Sequence, residues 1–269
     1  MSSQDMISAK LKSDILPYYL KSQIQSSHQL PSHITSQPHL QLSFLHLHNH
    51  YKQLNNHVPH SPTRRRNSKL QKRPVENSAP ILKAKSDFIA TFDPSKAIQP
   101  GSKLPHFTLP SASGTSVSSS SLLAKGPILM TFYRGSWCPY CNLTLRSLQA
   151  HLPALRAKSC TLVAISPELP DTSLSTVEKN ELQFPVLSDV GNELARKLGM
   201  VFEQPEELRA VFDRFGHDLR GRNGDDSMVV PVPAVVLVGG DGVVRNVHVD
   251  ADYTKRLEPD VAVAWLDAL

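Results

Sequence analysis

Cysteine is scarce in this chain, with three among 269 residues. So small and odd a number excludes a secreted scaffold stapled by disulfides and suits a reducing compartment. Acidic residues are nearly missing from positions 1–80, where three Asp/Glu stand against ten Lys/Arg, a formal charge of +7. No apolar run reaches the roughly 18 residues that a membrane span needs. The N-terminus also lacks the apolar core of roughly 7–15 residues and the small-residue cleavage site of a signal peptide. The chain is therefore predicted to be cytoplasmic. An acid-poor, Ser-rich leader leaves a mitochondrial address as the alternative, although Asp5 and Asp14 come early and the arginines late. Neither an internal repeat nor a membrane partner is expected.

What is present divides unevenly. The net charge of +5 and pI of about 9.1 belong to the first 80 residues, because positions 81–269 hold 19 Lys/Arg and 21 Asp/Glu. A basic whole-chain balance therefore gives the body no reason to bind nucleic acid. Residues 1–84 are rich in Ser, Gln, His, Asn and Pro, carry eight of the twelve histidines, and hold Phe44 as their one phenylalanine. Such a segment buries too little to offset its chain entropy and is predicted to be a disordered basic tail. His46, His48 and His50 read as solvated chain, with a weak metal-binding tract as the alternative. Arg64-Arg65-Arg66-Asn67-Ser68 reads as solvated charge, with a kinase site or nuclear signal as the sharper reading.

One domain is expected over residues 85–269, long enough to bury a core. Residues 104–109 form an extended lead-in. Residues 128–133 (ILMTFY) and 161–166 (TLVAIS) read as buried strands, joined by a helix starting near Pro139. On that helix Cys141, Leu145, Leu148, Leu152 and Leu155 share one face, while Pro153 is expected to kink or restart it. Strand, helix, strand at this spacing is a βαβ unit with parallel strands. Further helices are expected at 171–182, 192–198, 205–215 and 258–269, a short strand at 184–187, and a polar loop at 216–228. Residues 235–238 and 243–249 flank Gly239-Gly240-Asp241-Gly242 as a hairpin. The fold class is α/β, a mixed central sheet with helices on both faces.

Trp137-Cys138-Pro139-Tyr140-Cys141 carries the chemistry. Proline favours the first helical position, so Cys138 is the expected N-cap, its sulfur facing the N–H groups of Tyr140 and Cys141. A helix N-terminus stabilises a thiolate, the species that attacks peroxides and disulfides. Cys138 is thus the expected attacking thiol, and Cys141, one turn on, the resolving one. Arg134 either adds positive charge beside Cys138 or lies solvated on the surface. A structural zinc site needs four ligands, and Cys160 is the single further cysteine, so neither metal nor cofactor is expected. Cys160, before an apolar strand, is read as structural. His106 and His151 have no partner placed by sequence and are set aside as bases.

These residues also carry a family resemblance. Phe132-Tyr133-Arg134-Gly135-Ser136-Trp137-Cys138-Pro139-Tyr140-Cys141-Asn142, with Leu143 and Leu145, resembles the peroxiredoxin-like branch of the alkyl hydroperoxide reductase/thiol-specific antioxidant (AhpC/TSA) family. The likeness continues through Val163-Ala164-Ile165-Ser166-Pro167-Glu168, Phe184-Pro185-Val186-Leu187-Ser188-Asp189 and Asp252-Tyr253-Thr254-Lys255-Arg256. It covers about 170 residues. It implies a thioredoxin-like fold, a peroxide-reducing cysteine at Cys138, and recycling by thioredoxin, glutaredoxin or glutathione; a homodimer is compatible with it. Two positions depart from the family's pattern. Thr131 and Gly135 stand where peroxiredoxins usually carry Pro and Thr or Ser. Val232-Pro233 stands where they usually carry Arg, and a Pro there resembles thioredoxins and glutaredoxins, where it is normally cis. Arg134 is the residue that could replace the missing donors. The tetrapeptide Cys-Pro-Tyr-Cys itself resembles glutaredoxin.

Three functions fit. The first is a thiol peroxidase acting on hydrogen peroxide or organic hydroperoxides through Cys138, with Cys141 resolving. The second is a thiol-disulfide oxidoreductase using the same pair with Pro233. The third is a redox sensor or adaptor without catalysis.

Overall fold

The computed structural model describes residues 79–269. The expectations for the tail, its histidine tract and its arginine run lie outside the described residues. Helix α1 (Ala79–Thr91) crosses the boundary expected near residue 85. Its Ala84 is buried, and Ile81 packs on a cluster built from Leu208, Phe212, Leu219, Met228 and Val230.

The lead-in forms a small ribbon, β1 (Thr108–Pro110) antiparallel to β2 (Ser116–Ser118), followed by α2 (Ser119–Leu123). The core begins with β3 (Ile128–Phe132), helix α3 (Pro139–Ala157) and β4 (Thr161–Ser166). The strands are parallel, Phe132 opposite Ile165, as the βαβ spacing predicts. Helix α4 (Pro170–Asn180), β5 (Val186–Ser188) and α5 (Glu193–Lys197) come next, then β6 (Val201–Glu203), α6 (Arg209–Arg214), α7 (Leu219–Asn223) and β7 (Val229–Pro231). Strands β8 (Ala234–Val238) and β9 (Val244–Val249) form the expected hairpin, and α8 (Pro259–Trp265) closes the domain.

The central sheet runs β5-β4-β3-β8-β9, with β6 and β7 paired as a separate antiparallel ribbon. Every residue of β3 is buried, because both faces of the sheet are covered; this is why the strand reads as an unbroken apolar run. Side chains alternate across it. Leu129 and Tyr133 pack with the α3 leucines, Ala262 and Leu266. Ile128, Met130 and Phe132 pack on the opposite face with Leu122, Leu194 and Leu198. The architecture is a thioredoxin-like mixed sheet between helical layers.

Three expectations change. Helix α3 is continuous through Pro153 rather than restarting. The proline is on the exposed face, while buried Leu152 and Leu155 hold the helix on the sheet. Residues 216–228 are not all loop. Asp218 caps α7 by accepting from the Gly221 N–H, and Gly224 ends it with φ of 73°, a start and stop that a short polar segment hides. Finally, every peptide bond among the described residues is trans, Val232–Pro233 included. Pro231 pairs with Val201 in the β6–β7 ribbon and Ala234 opens β8, so the chain between them runs on extended rather than turning.

Candidate active site

The sheet brings four chain segments to one end. Phe132 closes β3 beside Ile165 of β4 and Ala234 of β8, and Ala234 faces Val249 of β9. The segments leaving β3, β4 and β9 therefore meet the segment entering β8. Residues 133–138, Glu168, Val232-Pro233 and residues 250–257 build the site.

The loop after β3 is clamped at Ser136. Glu168 is fully buried and accepts from the Ser136 N–H at 2.9 Å and its hydroxyl at 2.7 Å. Arg222 of α7 donates to the same hydroxyl at 2.8 Å and lies 3.7 Å from the Glu168 carboxylate. Burial raises the Glu168 pKa, and the Ser136 and Arg222 contacts counter it. Asn142 donates to the Ser136 carbonyl at 2.7 Å and in turn accepts from Asn180 at 2.9 Å. Gly135 takes φ of 143°, and a Cβ there would stand 2.5 Å from the Trp137 indole nitrogen and 3.0 Å from Glu168. The loop thus requires glycine at this point.

Cys138 is the N-cap of α3, with Pro139 at the first helical position and the Asn142 N–H bonded to the Cys138 carbonyl at 3.1 Å. Its sulfur forms no close side-chain cap hydrogen bond, although the Cys141 N–H contributes to lowering its pKa. The sulfur also receives the Cys141 thiol as a donor, and this contact, with the Arg134 guanidinium, outweighs burial and lowers Cys138 to about 5. Arg134 is buried, not solvated, and its Nη2 lies 3.4 Å from the Cys138 sulfur. The guanidinium is sandwiched at 3.8 Å from the Tyr253 ring centroid and 4.9 Å from that of Trp137. Cys141 goes the other way. Burial, then the hydrogen bond it gives Cys138, push its pKa up, while Arg256 and Arg134 pull it down. Cys138 is therefore the more acidic thiol. No disulfide is formed among Cys138, Cys141 and Cys160.

Thr131 and Pro233 line a small cavity with Cys141, Tyr133, His248 and Arg256. Tyr140 is exposed, its ring 6.0 Å from that of Tyr253. Trp137 packs on Phe212 and His217. Cys160 lies apart in the core, its pKa raised to about 11 by burial. Helix α1 delivers Lys85 to Asp252 at 2.6 Å and to the Tyr253 ring at 5.3 Å. Reasoning from residue type missed Glu168, Arg222, Tyr253, Arg256 and Lys85. Glu168, Tyr253 and Arg256 lay inside segments that carry the family resemblance, but nothing local to Arg222 or Lys85 signals a role. Among the described residues no group of His, Cys, Asp or Glu is placed to hold a metal ion, and no helix is long and apolar enough to cross a membrane.

The Cys-x-x-Cys pair thus stands at the start of the helix that follows the central strand of a thioredoxin-like mixed sheet. The AhpC/TSA family matches residues 100–247, and the chain belongs to that family. A Buchnera aphidicola protein provisionally named peroxiredoxin bcp is 31% identical over 103 residues, 38% of this chain and 65% of its own. The match thus spans just under two thirds of that relative. The thiol-disulfide oxidoreductase ResA of Bacillus cereus is 22% identical over 137 residues, 51% of this chain and 76% of its own. The peroxidoxin BcpB of Mycobacterium tuberculosis superposes with a TM-score of 0.50 at 22% identity, over 64% of this chain and 98% of its own, a likeness of fold.

Proposed function

We propose that this protein is a thiol-dependent peroxidase in which Cys138 attacks hydrogen peroxide or an organic hydroperoxide and Cys141 resolves the product to a disulfide. The observation that carries this reading is the buried Arg134 guanidinium 3.4 Å from the Cys138 sulfur. It supports the thiolate and is the candidate donor to the peroxide oxygen. Such a donor is worth about 3 kcal/mol when aimed at developing charge, and the family's usual Thr or Ser is replaced here by Gly135. A small thiol or a dithiol protein of the thioredoxin or glutaredoxin kind would return the disulfide to thiols. Membership of the AhpC/TSA family and the relative named peroxiredoxin support the same chemistry. In keeping with its few cysteines, the protein would work in a reducing compartment, the cytoplasm first.

The test is stopped-flow mixing of the reduced protein with one equivalent of hydrogen peroxide. Trp137, stacked against Arg134, reports by fluorescence, and intact mass reports loss of two hydrogens. Oxidation far faster than that of free cysteine, abolished in Cys138→Ser, is expected. A rate no faster than a free thiol overturns the reading.

A second reading is thiol-disulfide exchange by the same pair. It is favoured by Pro233 beside Cys141 in one cavity and by the relative named a thiol-disulfide oxidoreductase. Impaired reduction of a glutathione mixed disulfide in Pro233→Ala, with slow peroxide oxidation of the unaltered protein, would select it.

A further inference from the structure

Arg134 explains one sulfur. The other also has an arginine, which attack on the peroxide does not use. Arg256 comes from the segment after β9, and its Nη2 lies 3.6 Å from the Cys141 sulfur. Its Nε is buried without a hydrogen-bond partner, and among the described residues no carboxylate lies within ion-pair distance of its guanidinium. Arg256 is half-buried, and a guanidinium whose buried Nε has no partner is well placed to stabilise an anion beside it. The group beside it that can become an anion is the Cys141 thiol, wholly buried in a wall shared by Leu145, Pro233 and Leu257 with Thr131, Tyr133 and His248.

We propose that Arg256 is the positioning residue for the resolving thiol: it holds Cys141 as a thiolate once Cys138 has been oxidised, so that each cysteine of the pair has its own arginine. The proposal rests on Cys141 being the second thiol of the pair. In the reduced site the two sulfurs share one proton, and Cys138 holds the charge. Attack of Cys138 on the peroxide breaks the O–O bond. The sulfur takes the outer oxygen as sulfenic acid, and alkoxide or hydroxide leaves with the bonding pair. Cys138 is then neutral, and the negative charge that raised the Cys141 pKa is gone. Arg256 and Arg134 remain. Cys141 can now release its proton to the departing base and attack the sulfenic sulfur. The S–O bond breaks, hydroxide leaves and takes up a proton as water, and the disulfide forms. Two thiols are oxidised and one peroxide is reduced. The charged and titratable groups facing Cys141 are Cys138 and Arg134 from the loop, Tyr133 after β3, His248 on β9 and Arg256 itself. His248 is held below its usual pKa by burial, with Arg256 adding to the effect, so Arg256 is the standing cation on that side.

The experiment titrates Cys141 by NMR of isotope-labelled cysteine in a Cys138→Ser chain, which removes the partner sulfur. Arg256→Met is expected to raise the Cys141 midpoint by about one unit, a roughly tenfold loss of thiolate at neutral pH, while Arg256→Lys retains most of it. An unchanged midpoint in Arg256→Met overturns the proposal, whatever the protein's substrate. Where Arg256→Met does not fold, Arg256→Gln takes its place. In the chain with both cysteines, single turnover with hydrogen peroxide should show normal gain of one oxygen at Cys138. Conversion to the disulfide should then be about tenfold slower in Arg256→Met and recover at higher pH. If the unaltered protein yields no sulfenic acid, the peroxidase reading fails, and the titration still decides the role of Arg256.

Discussion

Arg134 shows how much a single side chain governs here. Its guanidinium is buried between two aromatic rings, and the anion it serves is a sulfur. Removing it leaves Cys138 to burial and to the Cys141 hydrogen bond. Arg134→Met should therefore move the Cys138 midpoint up from about 5 towards the ordinary thiol value. At neutral pH its oxidation by peroxide should slow by about tenfold or more, since the thiolate is the nucleophile. The pH profile of the stopped-flow rate checks this: unaltered protein reaches its plateau before neutrality, the variant above it. The same cation stabilises the reduced pair over the disulfide, which carries no charge. The variant's disulfide should thus be harder to reduce, by roughly 30 mV for each tenfold change in the equilibrium, read against glutathione redox buffers.

Among the elements, the loop between β3 and α3 is held by partners distant in sequence. Glu168 lies just past β4, Arg222 rides on α7, and both fix Ser136. Gly135→Ala forces a side chain into a left-handed backbone and against Trp137 and Glu168. It should cost about 2 kcal/mol in denaturant unfolding and slow Cys138 oxidation as well. Glu168→Gln keeps the shape but loses the charge facing Arg222. It should loosen the loop with a smaller loss of stability than Glu168→Ala, in which the Ser136 N–H loses its acceptor; thermal melts of the pair of variants give the order. Helix α3 was legible because its leucines repeat at helical spacing, and β3, β4 and the β8–β9 hairpin because their apolar runs are bounded by turn residues. Helices α1 and α7 and the β6–β7 ribbon were not. They are short or weakly patterned, and packing by Ala84, Leu219 and Val230 on a shared cluster stabilises them where local propensity does not.

Across the whole domain, the redox state couples to stability through pH. Cys138 has a folded-state pKa of about 5 against an ordinary 9.0, so between those values the unfolded reduced chain holds a proton that the native one has released. The stability of the reduced protein should accordingly rise with pH across this window and lose the contribution as pH falls towards 5. Cys141 is shifted upward and acts oppositely, lowering stability only above its ordinary pKa. The disulfide form has neither group. Glu168 is common to both forms, so the difference between their unfolding free energies isolates the cysteines. That difference should grow from pH 5 to pH 9 in urea titrations, and the reduced Cys138→Ser chain, which cannot form the disulfide, should gain less stability over this window than the reduced unaltered chain.

Residue order alone was enough for the central βαβ unit, the placement of Cys138 at a helix start and the choice of thiol chemistry. Each depends on periodicity, proline geometry or residue spacing within one segment. Arg134 stayed undecided between surface and site, and nothing along the chain could pair Arg222 with Ser136, Lys85 with Asp252 or Arg256 with Cys141. Those contacts join residues 86, 167 and 115 positions apart, and each forms because strands β3, β4, β8 and β9 end together. The helix start already pointed to Cys138 as the thiolate, but how far the two thiols are separated is a tertiary matter. Burial, two arginines and one shared proton decide it, and their balance exists only when the sheet has brought them to one place.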